Sequence, residues 1–326
     1  MKTLIYGAGP LGQWLALRLA NAGSDVTLLA RGRTFEQLDR DGIAIVDGLT
    51  GERMTATVPL VRRLEPEDRF DLVVVAMRRS SRIAVCPALA RNRHVKSFLF
   101  LGNDVDGFHR YLDLLPKDKV LLGFPGVGGG WRNDELVVMD RENADGPLGE
   151  VYLGELNGVK RQRTRLVGRL FSSAGIKVNY ENDIDGWLKY HFAFMAPTAG
   201  IVLEQGGDMK AVAKDKNAIH RYCRACREAG NVLHRAGYRR RQPAIFNLYY
   251  WLPRWLEPVV FGKFFGSSAS EIRFGLHART VGTELLELAE DFRDLTMHTA
   301  LTTPTLNDLV ESVRSYDSVV GAEEVA

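Results

Sequence analysis

The sequence predicts an α/β fold, with an N-terminal doubly wound parallel sheet over residues 1–160 and an all-helical C-terminal domain over residues 161–326. Three observations predict it. The chain opens on a short apolar run that turns directly into G-x-G-x-x-G and then a helical pattern, Lys2-Thr-Leu-Ile-Tyr-Gly7-Ala-Gly9-Pro10-Leu11-Gly12. Short apolar strand candidates then alternate with helical stretches through the first half, as in a parallel sheet covered on both faces. From Gln162 onward helical periodicity dominates, so the boundary is expected near residues 155–165.

Each element has its own reason. Thr3–Tyr6 is the first strand and Leu11–Ala22 the first helix, closed by Gly23. Gly7 permits the tight turn out of the strand, Gly9 lets a pyrophosphate approach the backbone, and Gly12 lets helix and strand pack closely. Pro10 and Leu11 complete the loop. This placement, between strand and helix, makes the motif a dinucleotide-binding signature. Asp25–Leu29 is β-branched and apolar and reads as a second parallel strand. Ile43–Val46 and Thr55–Val61 read as a hairpin-like excursion, and Asp71–Ala76 as a fully buried strand. Lys96–Leu101, Lys119–Phe124 and Glu150–Leu153 read as further strands, with a glycine-rich stretch at Gly123–Gly130. Helices are expected over Leu166–Ala174, Ile184–Met195, Asn217–Ala236 and Val281–Leu295, and a frayed tail over Asp317–Ala326.

The second strand ends in Arg31-Gly32-Arg33, where an NAD-binding domain of this type carries a carboxylate for the ribose hydroxyl. Guanidiniums suit a 2′-phosphate through charge and forked hydrogen bonds. The reading is therefore NADP(H), with Arg31, directly after the strand, as the phosphate ligand. Solvated loop charges are the alternative.

Bulk properties narrow the class. A net charge of +3 over 326 residues gives no reason to expect a nucleic acid partner. Met1-Lys2 leads straight into a strand, so no signal peptide is expected. The most apolar stretch, Phe246 to Phe265, is broken by Pro253, Arg254, Glu257, Pro258 and Lys263, so no stable membrane insertion is expected. Its aromatics, beside Tyr238-Arg-Arg-Arg241, read as lining an apolar pocket or packing into the core in preference to touching a membrane or partner. Cys86, Cys223 and Cys226 are too few for a disulfide framework, which points to the cytoplasm. Cys223-x-x-Cys226, with His220 before it, falls on the apolar face of a helical pattern and lacks a second ligand pair, so no metal is expected.

In the helical half, Asp183-Ile-Asp-Gly-Trp187-Leu-Lys189-Tyr-His191-Phe-Ala193 places a lysine among aromatics, one turn inside a helix. It is a candidate proton donor; the alternative is a stem lying on apolar neighbours with its head in water. His191, two residues on, points to another side and reads as structural. His277 is a weaker candidate for proton transfer.

With these motifs in hand the chain resembles the ketopantoate reductase family, NADPH-dependent reductases of a 2-oxo acid built from a Rossmann domain and a helical C-terminal domain. The resemblance runs nearly the full length. It implies that Trp187-Leu-Lys189 carries the catalytic lysine, that Arg78 stands where the family has a lysine near the cofactor, and that Asn103 in Phe100-Leu-Gly102-Asn103 lies by the nicotinamide and the substrate. It implies that Ser267 and Ser268 hold the substrate. Ala193 and Ala196 stand where the family has asparagines, Asp104 where it has glycine, and Arg279 where it has a glutamate assisting the substrate hydroxyl. Arg279 is then a candidate anion-binding group. The implied reaction is reduction of a small 2-oxo acid or related ketone; the pocket reading of Phe246 to Phe265 would make that substrate bulkier and more hydrophobic than ketopantoate. The alternative is an NADP(H)-binding sensor or partner protein without turnover. Oligomeric state stays open, a homodimer included.

Overall fold

A computed structural model describes residues 1–139, 149–267, 270 and 282–323. The chain forms two compact units, one of Met1–Gly102 with Gly107–Asp185, the other of Asn103–Asp106 with Gly186–Ala326.

The strands of the first unit are β1 (Thr3–Tyr6), β2 (Val26–Leu29), β3 (Ile43–Asp47), β4 (Arg53–Ala56), β5 (Leu60–Val61), β6 (Leu72–Val75), β7 (Phe98–Leu101), β8 (Val120–Pro125), β9 (Gly128–Arg132), β10 (Glu135–Met139), β11 (Glu150–Gly154) and β12 (Lys177–Glu181). Its helices are α1 (Pro10–Asn21), α2 (Gly32–Asp41), α3 (Arg79–Arg91), α4 (His109–Leu112) and α5 (Gln162–Ser173). Eight strands pair in the order β12-β11-β8-β7-β6-β1-β2-β5. Every pairing is parallel except β11 with β8, which is antiparallel. β1, β2, β6 and β7 are buried at every position, as strands covered on both faces must be. The chain passes from β1 to β2 on one side and returns with β6 on the other, so the order reverses at β1. The C-terminal end of β1 is therefore the topological switch point, the place where open α/β sheets bind ligands.

Two features differ from the sequence expectation. The expected hairpin over Ile43–Val46 and Thr55–Val61 is real in β3 and β4, with Ile45 opposite Met54, but Leu60–Val61 leaves it and joins the main sheet beside β2. β3 and β4 instead pair with β10 and β9 in a second, four-stranded sheet of order β4-β3-β10-β9. Its Ile43, Ile45, Leu136 and Val138 share a core with Leu15 and Leu19 of α1. The second difference lies beyond residue 160. α5 and β12 belong to the sheet unit, because β12 pairs with β11 over five residues, from Glu150 opposite Lys177 to Gly154 opposite Glu181. Arg163 of α5 is tied in as well, its Nη2 donating to the Val120 carbonyl at 3.1 Å and its Nε to Glu155 Oε1 at 3.0 Å. A division at residue 161 would cut these bonds; the compact sheet unit runs to Asp185.

The helical unit is built from α6 (Ile184–Glu204), which begins at the end of the sheet unit, α7 (Met209–Lys214), α8 (Lys216–Arg235), α9 (Leu248–Trp251), α10 (Glu257–Phe265), α11 (Gly282–Met297) and α12 (Pro304–Glu323). Asp208 and Asp215 cap α7 and α8, each accepting two backbone N–H bonds. α8 buries Ile219, Tyr222, Cys223, Cys226, Ala229 and Leu233, a stripe at helical spacing. Against it pack Phe246, Tyr249, Phe261 and Phe265, with the Tyr222 ring edge-on to three of these rings, 5.1–5.6 Å between centroids. Among the described residues no helix is long and apolar enough to cross a membrane.

Candidate functional site

The glycine loop follows from the fold. At the switch point Gly7 takes φ +116°, and a Cβ there would come within 2.7 Å of the Ala76 carbonyl. Gly12, in the first turn of α1, approaches still closer: a Cβ would lie 1.8 Å from the Gly7 carbonyl. Around Gly9 no protein atom stands within 4 Å of a built Cβ. The loop is thus closed on its protein side and open at Gly9. Pro10 starts the helix with φ already set and no N–H to leave unmade. Gln13 braces the loop, its backbone N–H bonding the Gly9 carbonyl and its Nε2 the Ala8 carbonyl, both at 2.9 Å. Free amides of a helix first turn beside an open backbone fit the pyrophosphate of a dinucleotide.

The two strands that flank β1 deliver charge to the edge where it ends. Tyr6, the last residue of β1, is in register with Leu29 of β2 and Val75 of β6. Arg31 follows β2, exposed, with Nη2 donating to the Tyr6 hydroxyl at 2.9 Å and the guanidinium 5.8 Å from that ring. In the sequence nothing sets Tyr6 apart from an ordinary strand end. Arg78 follows β6 at the N-cap position of α3 and is exposed. Gly7, Gly9, Pro10, Leu11, Gly12, Arg31 and Arg78 therefore stand on the C-terminal edge of three adjacent strands. Arg82, also unremarked in the sequence, is 1% exposed and donates through Nη1 to the Leu101 carbonyl at 2.9 Å. Gly102 turns at φ +138° over it, where a Cβ would strike that guanidinium at 2.0 Å. Arg82 thus fixes the end of β7, from which Asn103 departs.

Asn103 itself belongs to the helical unit, as does Lys189. Both are buried, Lys189 at 4% exposure. Lys189 Nζ stands 4.9 Å from the centroid of the Tyr238 ring, a cation–π distance. Tyr190, the next residue of α6, donates its hydroxyl to the Tyr238 carbonyl at 2.7 Å and so holds that segment in place. The surface alternative, a lysine head in water, is excluded by this burial. Tyr238 was visible in the sequence only as the aromatic opening a basic run. His191 stacks on Trp187, 5.1 Å between ring centroids, as a packed side chain would. Ala193 and Ala196 are fully buried.

Ser267 lies two residues past the end of α10, its Oγ donating to the Phe264 carbonyl at 2.9 Å and bonded to Ser270 Oγ at 2.8 Å. Ser268, Arg279 and His277 lie outside the described residues. The aromatic segment divides in two. Phe246, Tyr249, Phe261 and Phe265 enter the core, whereas Trp251 and Trp255 are 73% and 75% exposed, which corrects the expectation that the whole segment lines a pocket or the core. Burial pushes the Cys223 and Cys226 thiols well up and the Cys86 thiol up to about 11, so none offers a thiolate near neutral pH.

Residues 3–158 match the family described as Ketopantoate reductase PanE/ApbA. The uncharacterized oxidoreductase YkpB of Bacillus subtilis (strain 168) is 27% identical over 206 residues, 62% of this chain and 64% of that protein. A 2-dehydropantoate 2-reductase of Pyrococcus abyssi (strain GE5 / Orsay) is 28% identical over 189 residues, 58% of this chain and 59% of that protein. The chain thus spans less than two thirds of the length of these curated relatives. The ternary structure of D-mandelate dehydrogenase with NADH and anilino(oxo)acetate matches over 98% of this chain and 99% of that one, with TM-score 0.78 at 16% identity, a likeness of fold. Residues 3–158, just under half of the chain, are thus similar to the ketopantoate reductase family, and the curated relatives that the chain matches include an oxidoreductase and a 2-dehydropantoate 2-reductase.

Proposed function

We propose that the protein is an NADPH-dependent reductase of a 2-oxo acid or related ketone, with Lys189 as the proton donor. The observation that carries this reading is a lysine only 4% exposed, set against an aromatic ring inside the helical unit of a chain whose other unit carries a nucleotide loop.

The residues fit the cofactor: the loop is open at Gly9 and closed at Gly7 and Gly12, and cations stand at the end of β2. The backbone N–H groups of Gly9, Leu11 and Gly12 hold the pyrophosphate, with Pro10 fixing the turn between them, and Arg31 holds the 2′-phosphate. Arg78 takes the remaining cofactor charge. When bound, the reduced nicotinamide supplies hydride to the carbonyl carbon. Lys189 gives its proton to the carbonyl oxygen as charge develops there, leaving a hydroxyl. Asn103 hydrogen-bonds substrate and cofactor, and Ser267 binds the substrate carboxylate or hydroxyl. By resemblance Ser268 shares that role and Arg279 binds a further anionic group. By resemblance Ala193 and Ala196 replace amides near the lysine, and with both packed in the apolar core of the helical unit their loss favours a more apolar substrate than ketopantoate. The protein works in the reducing cytoplasm, where its three thiols stay free.

The test is loss of NADPH absorbance with the full-length protein across 2-oxo acids graded from small polar to aryl side chains. Turnover with an apolar member, abolished in Lys189→Met while NADPH still binds, is the expected result. Tight NADPH binding with no turnover on any member would replace the enzyme by a sensor.

A further inference from the structure

We infer that Arg62 is a second cation of the 2′-phosphate subsite, acting with Arg31 to select a phosphorylated dinucleotide over one with a free ribose hydroxyl. The inference rests on the NADP(H) reading above and adds a residue to it.

The argument begins with β5, two residues long and easily taken for a loop. It pairs in parallel with β2, Leu29 opposite Val61, and the Ala30 N–H donates to the Val61 carbonyl at 3.1 Å. Arg31 and Arg62 therefore leave neighbouring strands at the same end. Each guanidinium is then held by an aromatic. Arg31 is bonded to the Tyr6 hydroxyl, and Arg62 lies 3.8 Å from the centroid of the Phe35 ring. Phe35 closes the first turn of α2, its N–H donating to the Arg31 carbonyl at 3.3 Å. Arg62 is thereby drawn to the very turn that Arg31 begins.

Charge completes the case. The next residue, Arg63, is paired with Glu65, whereas among the described residues no carboxylate forms an ion pair with Arg62 or Arg31. Both guanidiniums are exposed, with donors to spare. A phosphate monoester carries close to two negative charges near neutrality, roughly −1.5 to −2, more than one guanidinium neutralises. Stacking on Phe35 restrains Arg62 before a ligand arrives, which lowers the ordering cost of binding.

The experiment is calorimetric titration of the full-length protein with NADP⁺, NAD⁺ and adenosine 2′-phosphate, for wild type, Arg62→Ala, Arg62→Lys and Phe35→Leu. Loss of one charge-assisted contact is expected to weaken NADP⁺ and adenosine 2′-phosphate about tenfold in Arg62→Ala, with NAD⁺ within about twofold of wild type. Arg62→Lys should recover part of the loss, and Phe35→Leu should show a smaller loss with the same selectivity. A wild type that binds NAD⁺ as tightly as NADP⁺ would bring down the cofactor reading and this inference together. A wild type that prefers NADP⁺ and keeps that preference in Arg62→Ala would remove Arg62 alone. An Arg62→Ala variant that weakens both dinucleotides equally would likewise overturn the assignment.

Discussion

In the sheet unit the groups assigned to the dinucleotide are mostly backbone, set at the ends of strands buried at every position; in the helical unit the group assigned to the proton is the tip of a long side chain enclosed by aromatics. The first arrangement is fixed by steric exclusion and has little freedom to relax, since Gly7 and Gly12 face backbone atoms. The second depends on neighbours such as Tyr190 and Tyr238, which hold a charge where water is scarce. Substitutions in the two regions should therefore fail in different ways: structure and binding together where the loop faces backbone, at Gly7 and Gly12, and turnover alone at the lysine.

The largest expected effect is at Lys189. Removing a general acid costs about 10²–10⁴ in rate, so Lys189→Met should lower kcat by about 10³ in steady-state assays with NADPH affinity held. Gly12→Ala comes next. A methyl 1.8 Å from the Gly7 carbonyl forces helix and strand apart, and a destabilisation of about 3 kcal/mol is expected in denaturant unfolding. Gly9→Ala is the control within the same motif. Its φ of −75° suits any residue, and no protein atom lies near the new methyl. Stability should stay within about 0.5 kcal/mol of wild type, while NADP⁺ affinity falls about tenfold as the methyl takes room the pyrophosphate needs. If Gly9→Ala and Gly12→Ala behave alike, the loop has not been built around a ligand.

What the sequence revealed follows the same divide. The turn from β1 into α1 was legible because its causes are local: three glycines at fixed spacing, with Pro10 at the helix start. Lys189 was legible as an anomaly, a charge among Trp187, Phe192 and Phe194. Features made by distant pairing were not. β12, Lys177-Val-Asn-Tyr-Glu181, is an edge strand with no fully buried residue, so it lacks the apolar signal of the central strands. In β9 the run Gly128-Gly-Gly130 reads as a loop, yet Gly129 is where a Cβ would meet the Val137 carbonyl at 2.4 Å, so glycine there permits close strand contact. Arg62 carries no signal of its own in the sequence, because its place depends on the pairing of β5 with β2. Trp251 and Trp255 misled in the opposite sense, since hydrophobic type alone does not fix burial.

The smallest effect tests whether surface charge matters to the sheet unit at all. Asp71, just before β6, accepts the Lys2 backbone N–H at 2.9 Å through Oδ2 and the Lys96 ammonium at 2.6 Å through Oδ1, joining the starts of β1, β6 and β7. The hydrogen bond from Lys96, then that from the Lys2 amide, holds its carboxyl below the usual carboxylate range, against a smaller upward push from burial. A depressed folded pKa contributes stability that is present above the unfolded value of about 3.9 and is lost as pH falls through the lower folded value. With Lys96 74% and Asp71 36% exposed, solvent screens the pair, and Asp71→Asn should cost less than about 1 kcal/mol near neutral pH. The gap between wild type and variant in urea unfolding should hold at neutral pH and narrow as pH drops below about 4. A loss above about 2 kcal/mol at neutral pH would mean that this exposed clamp, as well as backbone packing, sets the strand ends on which the glycine loop depends, well beyond the usual worth of a surface ion pair.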